Sequence, residues 1–198
     1  MGNRDISSAD RYDGFVTLTT EAAVASSKDE LYEVVARSVP TILGVRRASM
    51  ALLTTAEQFE VVALGGAGEV MQSRERVELA GTAIDWALRE GRCATTNEHE
   101  LGDFRDWRML NANHELTQFV ISPMITARGP VGTFNIGLPT DAVVNNELIS
   151  AAGTFAKVLA SHLELHNNIE TLQQTVDDLS TAQNQLVEQA KNAALGEM

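Results

Sequence analysis

A heptad repeat at the C-terminal end limits what this chain can fold into more than any other feature. Val158, Leu165, Leu172, Leu179, Leu186 and Ala193 recur every seven residues, and His162, Ile169, Val176, Gln183 and Ala190 fill the second seam position. Seam residues spaced alternately by four and three are the a and d positions of a coiled coil. From Asn145 onward only Gly153 and Gly196 interrupt a stretch otherwise free of Gly and Pro. A helix over that stretch is roughly 80 Å long at about 1.5 Å per residue, too long to fold back on a domain built from the remaining residues. It needs a partner, and a second copy of the chain is the simplest one. Gln183 within the leucine seam is the kind of polar substitution that fixes register at a cost in stability.

The 198 residues suffice for one domain of ordinary size and an appendage. The expected division is a flexible leader over 1–13, a domain over 14–162 and a coiled-coil helix over 163–198. Lys and Arg number 15 against 27 Asp and Glu, a net charge of −12. A surface that acidic repels phosphate backbones and anionic headgroups, which argues against nucleic acid and membrane as partners. The single cysteine cannot form an internal disulfide and fits a reducing compartment. Met1-Gly2-Asn3-Arg4-Asp5-Ile6 lacks the apolar core of a signal peptide, and Ile6 stands where myristoylation needs Ser or Thr. No run approaches the ~18 consecutive apolar residues of a membrane span. A cytoplasmic location is the default.

Local patterns set the order of elements. Phe15–Ala25 reads as a helix despite its β-branched cluster. Ser27 with Glu30 forms a capping box for a second helix, whose apolar face is Leu31, Val34, Val35, Val39, Ile42 and Leu43. Gly44 stops it, and Pro40 is expected to kink its last turn. Ala48–Leu53 and Phe59–Leu64 read as a hairpin, followed by a Gly65-Gly66-Ala67-Gly68 loop. That loop lacks the Lys-Ser/Thr and helix start of a phosphate cradle. Val77–Leu79 is a short strand, Gly81–Glu90 a helix stopped by Gly91, and Cys93–Thr96 another short strand. A polar segment, 97–114, includes a short helix at Asp103–Leu110. Gln118–Thr126 and Val131–Leu138 are strands, and the long helix follows.

Two phrases in this order of elements carry a resemblance. Ala25-Ser26-Ser27-Lys28-Asp29-Glu30-Leu31 leads into Val39-Pro40-Thr41-Ile42-Leu43-Gly44-Val45-Arg46-Arg47-Ala48-Ser49-Met50. Ser122-Pro123-Met124-Ile125, Arg128-Gly129 and Val131-Gly132-Thr133-Phe134-Asn135-Ile136-Gly137 lie near the other end. Over about residues 15–162 the chain resembles a GAF domain, a small-molecule sensor module of bacterial signalling proteins. That resemblance implies an α+β fold: an antiparallel sheet of about five or six strands flanked by helices, with helices on one face and a ligand pocket on the other. Ala193-Ala194-Leu195-Gly196-Glu197-Met198, at the end of the heptads, resembles the entry into the dimerisation and phosphoacceptor helix of sensor histidine kinases.

Several chemical constellations fail on inspection. His114-Glu115-Leu116-Thr117 imitates a phosphoacceptor box, but a strand follows it instead of a long helix. Bilin attachment at Cys93 is disfavoured, because bilin-binding relatives place His directly after the Cys and Ala94 follows here. A single cysteine also argues against the GAF-type methionine sulfoxide reductases, which use several. The cyclic-nucleotide signature is broken at Asn97-Glu98, where Lys should follow Asn. Haem, which some relatives hold through histidine, has candidates in His99 and His114 but no spacing signature. No two of the four histidines have zinc-ligand spacing with suitable partners, and no Gly-x-Ser-x-Gly is present, so neither a metal site nor a catalytic residue is expected.

The polar-aromatic segment supplies the expected ligand site. Phe104 and Trp107 are three apart on one helical face, with Arg105 and Arg108 beside it. An aromatic face with a guanidinium at its edge suits a small planar or anionic ligand. The candidate binding residues are Trp86, Phe104, Trp107, Arg108, His114 and Phe119; the cofactor is not specified. The candidate dimer interface is Val158, His162, Leu165, Ile169, Leu172, Val176, Leu179, Gln183 and Leu186. The resemblance implies an input module without catalytic activity of its own, forming a parallel homodimer that signals to a histidine kinase core. Two other classes remain open at this point: a ligand-free dimerisation scaffold, and the regulatory half of a nucleotide cyclase or phosphodiesterase.

Overall fold

The computed structural model describes residues 8–66, 76–114 and 116–196, with side chains described over 13–66, 76–111 and 116–192. Of the leader expected over 1–13, residues 1–7 lie outside the described residues, and helix α1 (Ser8–Val24) already starts at Ser8. Ser27 caps α2 (Lys28–Glu33), its hydroxyl accepting the Glu30 N–H at 3.2 Å. The Glu30 carboxylate turns back to the N–H and hydroxyl of Ser26, at 2.7 and 2.8 Å. The box thus closes one residue earlier than its sequence form predicts.

Pro40 acts differently from the expected kink. Between α2 and α3 (Val39–Leu43) the chain makes a π-helical turn, Val34–Ser38. Proline has no N–H for the Ala36 carbonyl four residues back, and the widened turn accommodates its ring. The Ala36 carbonyl instead faces the second strand of the sheet. A Cβ placed on Gly65 would lie 1.5 Å from that oxygen, so only glycine lets the strand come so close. Gly65 and Gly66 therefore close strand β2 (Gln58–Gly66) and are not the loop their composition suggests; Ala67 and Gly68 lie outside the described residues.

The sheet has six antiparallel strands in the order β3-β2-β1-β6-β5-β4. These are β1 (Arg47–Leu53), β2 (Gln58–Gly66), β3 (Arg76–Glu78), β4 (Ala94–Thr95), β5 (Gln118–Thr126) and β6 (Gly129–Leu138). β1 and β6 pair at the centre, from Arg47 opposite Gly137 to Leu52 opposite Gly132. Met50 faces Ala63 but Ala51 faces Val61, so β2 carries a one-residue bulge at Val62. The bulge puts Phe59, Val61 and Leu64 on one face of the sheet, where strict alternation would split them. This is the antiparallel sheet with flanking helices that the resemblance implies.

Each face has its own core. On one, the first turns of α6 (Asn146–Gly196) pack Phe155 against Phe134 and Phe15, with ring centroids 5.1 and 6.0 Å apart. Cys93 belongs to this side, half-buried, with its Sγ 3.4 Å from the Ser122 hydroxyl. On the other face, α4 (Ala83–Glu90) and α5 (Arg105–His114) cover a cluster that includes Ala51, Phe59, Ala87, Trp107, Phe119 and Ile121. Helices thus lie on both faces. The chain divides into two compact units at His162/Leu163. Among the described residues, no helix is long and apolar enough to cross a membrane.

The approach of Gly65 to Ala36 gives a direct test. Gly65→Ala must push strand from helix backbone and should destabilise the protein by at least about 3 kcal/mol, the upper range for overpacking. Gly102→Ala, at a site with nothing within 4 Å, should stay within about 0.5 kcal/mol in the same urea titration.

Candidate functional site

The roof of the second face is stitched to the sheet by two neighbouring residues. Thr82 caps α4, accepting the Asp85 N–H at 3.1 Å and donating to the Leu79 carbonyl at 2.6 Å. The Asp106 carboxylate accepts the Ala83 N–H at 3.0 Å, joining the first turn of α5 to that of α4. Arg105 donates to the Glu78 carbonyl at 2.6 Å and lies 3.5 Å from its carboxylate, while its own N–H reaches the Gly81 carbonyl at 2.9 Å. Burial pushes the Asp106 carboxyl above its ordinary range, partly offset by the backbone N–H groups it accepts from and by Arg105.

Between this roof and the sheet lies a cavity of about 580 Å³, within the usual range for small-molecule sites. Its walls are mostly apolar: Phe59, Val61, Ile84, Leu110, Phe119 and Ile121 all contribute. The floor is polar along one line. Arg47 and Ser49 on β1 stand beside Gly137 and Asn135 on β6, as the strand register requires. Asn135 donates from Nδ2 to the Ser49 hydroxyl at 3.2 Å. Gly137 has no side chain because Leu116 and Phe119 fill that space; a Cβ there would lie 2.8 Å from Leu116 Cδ1.

Of the six residues expected to bind a ligand, Phe119 lines the cavity. Trp86, Phe104 and Trp107 are brought together elsewhere, in a chain of rings around His99. Trp86 and His99 are 4.5 Å apart, His99 and Phe104 5.0 Å, and Phe104 and Trp107 4.7 Å. Trp107 then stacks on Phe119 at 5.3 Å, fully buried. These rings are core beside the cavity, not its lining, because the apolar face of α5 turns down onto the sheet. The Arg92 guanidinium sits 4.6 Å over the Trp86 ring. Arg108 is exposed and donates to the Gly102 carbonyl at 2.8 Å, which closes the turn before α5 and leaves it off the cavity wall. His114 ends α5, and its side chain lies outside the described residues. Among the described residues no group of three or more His, Cys, Asp or Glu side chains is arranged to hold a metal.

Arg47, Ser49, Asn135 and Asp106 line the cavity and are not among the six expected residues. A signal for the first three does exist: each is a polar residue interrupting an apolar strand. It carries information only once the register of β1 and β6 is known.

An antiparallel sheet with a walled cavity on one face and the first turns of α6 on the other is the frame of a regulatory domain. The chain belongs to the GAF domain family, whose model matches residues 27–165. Comparison with curated proteins by sequence gives no match. Among solved structures, the GAF domain of a phosphoenolpyruvate-protein phosphotransferase from Coxiella burnetii superposes with a TM-score of 0.69 at 13% identity, covering 83% of this chain and 99% of that one. Free methionine-R-sulfoxide reductase from Neisseria meningitidis, solved with its substrate, gives 0.66 at 12% identity over 82% and 93%. The GAF-B domain of DevS from Mycobacterium smegmatis gives 0.58 at 16% identity over 71% and 96%. At these identities the likeness is one of fold.

Two outcomes test the site's construction. Trp107→Ala should cost about 3–5 kcal/mol as a buried aromatic, whereas Arg108→Ala should stay within about 0.5 kcal/mol by chemical denaturation. The second concerns pH. Because the Asp106 carboxyl lies above its ordinary 3.8, the folded chain keeps that proton to a higher pH than the unfolded chain does. Its contribution is complete below about 3.8 and falls as pH rises toward the raised folded value. Urea titrations from about pH 4 to pH 7 should show the parent losing more stability than Asp106→Asn.

Proposed function

We propose that this chain is the cytoplasmic input module of a two-component sensor: a small molecule enters the cavity, and a parallel homodimer along α6 passes the response to a histidine kinase core. The observation that carries the reading is the continuity of β6 with α6. Asn135 and Gly137 floor the cavity, and one short loop later Asn145 caps α6 by accepting the Leu148 N–H at 2.9 Å. The Asn97 amide donates to the Val144 carbonyl at 2.7 Å, tying that loop to the start of the polar segment. A ligand that favours one arrangement of the floor therefore acts on the strand that leads into the signalling helix.

The heptads support the dimer. In the single chain Leu165, Leu172, Leu179 and Leu186 are 52–66% exposed, and Ile169, Val176 and Gln183 are exposed with them. Burying each such side chain is worth about 1.5–3 kcal/mol, and a second copy offers the matching seam. Val158 and His162, at the start of the seam, are half-buried in the single chain. The phrase Ala193–Met198, which resembles the entry to a kinase phosphoacceptor helix, is the support for the kinase as receiver.

Sedimentation at micromolar concentration should give twice the 21.4 kDa of one chain, and Leu172→Glu with Leu179→Glu should give a monomer. A monomeric parent, or cross-linking near the C-terminus that shows antiparallel chains, would sink the dimer reading. A metabolite library screened by thermal shift should yield at least one stabilising compound. If every compound leaves the melting temperature unchanged, the sensor reading fails.

A further inference from the structure

The charges around the cavity are out of balance with the rest of the protein. The chain carries a net charge of −12, yet the lining holds Arg47, Arg76 and Arg105 against Glu78 and Asp106. Arg105 pairs with Glu78, and Asp106 is engaged by the start of α4. Arg76 stands exposed at the rim. Arg47 remains, half-buried on the floor, with no hydrogen-bond or ion-pair partner among the described residues. Burial pulls its guanidinium below the ordinary arginine range, the expected consequence of desolvating a charge without a counter-charge.

A second polar group at the same place is also incomplete. The Oδ1 of Asn135 is buried and has no partner, although Nδ2 donates to Ser49. Whichever way that amide is turned, one of its two polar atoms is left for a third group. Turned so that Oδ1 accepts from the Ser49 hydroxyl, the amide has Nδ2 free to donate to an acceptor in the cavity. Buried polar groups left open in this way are rare in a finished core and are costly unless something completes them.

We propose that the cavity takes a small organic acid, with one carboxylate on an apolar body, and that Arg47 is its anchor. The carboxylate seats on the Arg47 fork and, with the amide turned so that Asn135 Oδ1 accepts from the Ser49 hydroxyl, accepts a hydrogen bond from Asn135 Nδ2, while the body lies against Phe59, Val61, Phe119 and Ile121. A guanidinium matches the two oxygens of a carboxylate bidentately. A phosphate dianion brings more charge and more acceptor sites than one half-buried guanidinium and one amide N–H satisfy. An inorganic anion would leave the apolar walls of the roughly 580 Å³ cavity uncovered. The inference rests on the sensor reading and names the class of ligand.

The test is calorimetry of the 198-residue chain with hexanoate, octanoate and 3-phenylpropionate, each beside its primary amide. At least one acid should bind, and its amide should bind at least about thirtyfold more weakly, as expected when one partner of a buried charge pair is missing. Arg47→Met should lose the acid by a similar factor. The same variant should melt no lower than the parent when empty, since it removes an uncompensated charge. Arg47→Lys, which keeps the charge without the fork, should bind the acid with intermediate affinity and still prefer it to the amide, and it serves if the methionine variant does not fold. Amides that bind as well as acids, or acid binding that Arg47→Met leaves unchanged, would overturn the anion inference and leave the sensor reading standing. Acids and amides that both fail to bind would also overturn it, and the sensor reading then stands or falls on the library screen.

Discussion

Strands β1 and β6 lie far apart in the chain, and their pairing places Arg47 opposite Gly137 and Ser49 opposite Asn135. That ladder is the centre of the sheet. Each strand pairs on its other edge as well, β1 with β2 and β6 with β5, so the two cores on opposite faces both rest on it. The same register that buries Met50 and Phe134 toward α6 turns Arg47, Ser49 and Asn135 toward the cavity, because side chains alternate strictly along each strand. A polar floor under an apolar roof is thus a by-product of one pairing, fixed before any loop is placed.

The other face shows how a roof is held over such a floor without filling it. α5 carries Trp107, Met109 and Leu110 as its large apolar residues, and part of its attachment is polar. Arg105 and Asp106, adjacent in sequence, reach in different directions to Glu78 and Ala83. These two hydrogen-bonded clamps, together with Trp107 stacked on Phe119, hold the helix over the open space beside them. The charge that is penalised in doing so, Asp106, is surrounded by backbone donors, which is how a partly buried carboxylate is usually accommodated.

Local signals in the sequence were dependable where the structure they specify is local. Ser27, Gly44 and Gly91 mark helix ends by interactions that span three or four residues, and all three are at helix ends in the fold. The strands Gln118–Thr126 and Gly129–Leu138 were legible for the same reason, being joined by a tight turn. Gly65 and Gly66 misled, because their meaning is a close approach to Ala36 and Arg46 and not flexibility. The bulge at Val62 has no sequence mark at all. For the candidate site the difficulty is greater. Trp107 was expected at the site because it shares a helical face with Phe104 beside a guanidinium, and spacing along one helix does not say whether that face meets a cavity or a core. Asn135 and Ser49 are 86 residues apart, and nothing local announces that they meet.

The aromatic chain on the cavity side has an optical consequence. The protein has two tryptophans, and both belong to this one chain of rings. Trp107 stacks on Phe119, whose ring lines the cavity, while Trp86 lies at the far end beneath the Arg92 guanidinium. All of the indole emission of this protein therefore originates within a few side chains of the cavity wall. Its fluorescence is a local gauge of that one face of the sheet, with the opposite core and the long helix silent in it.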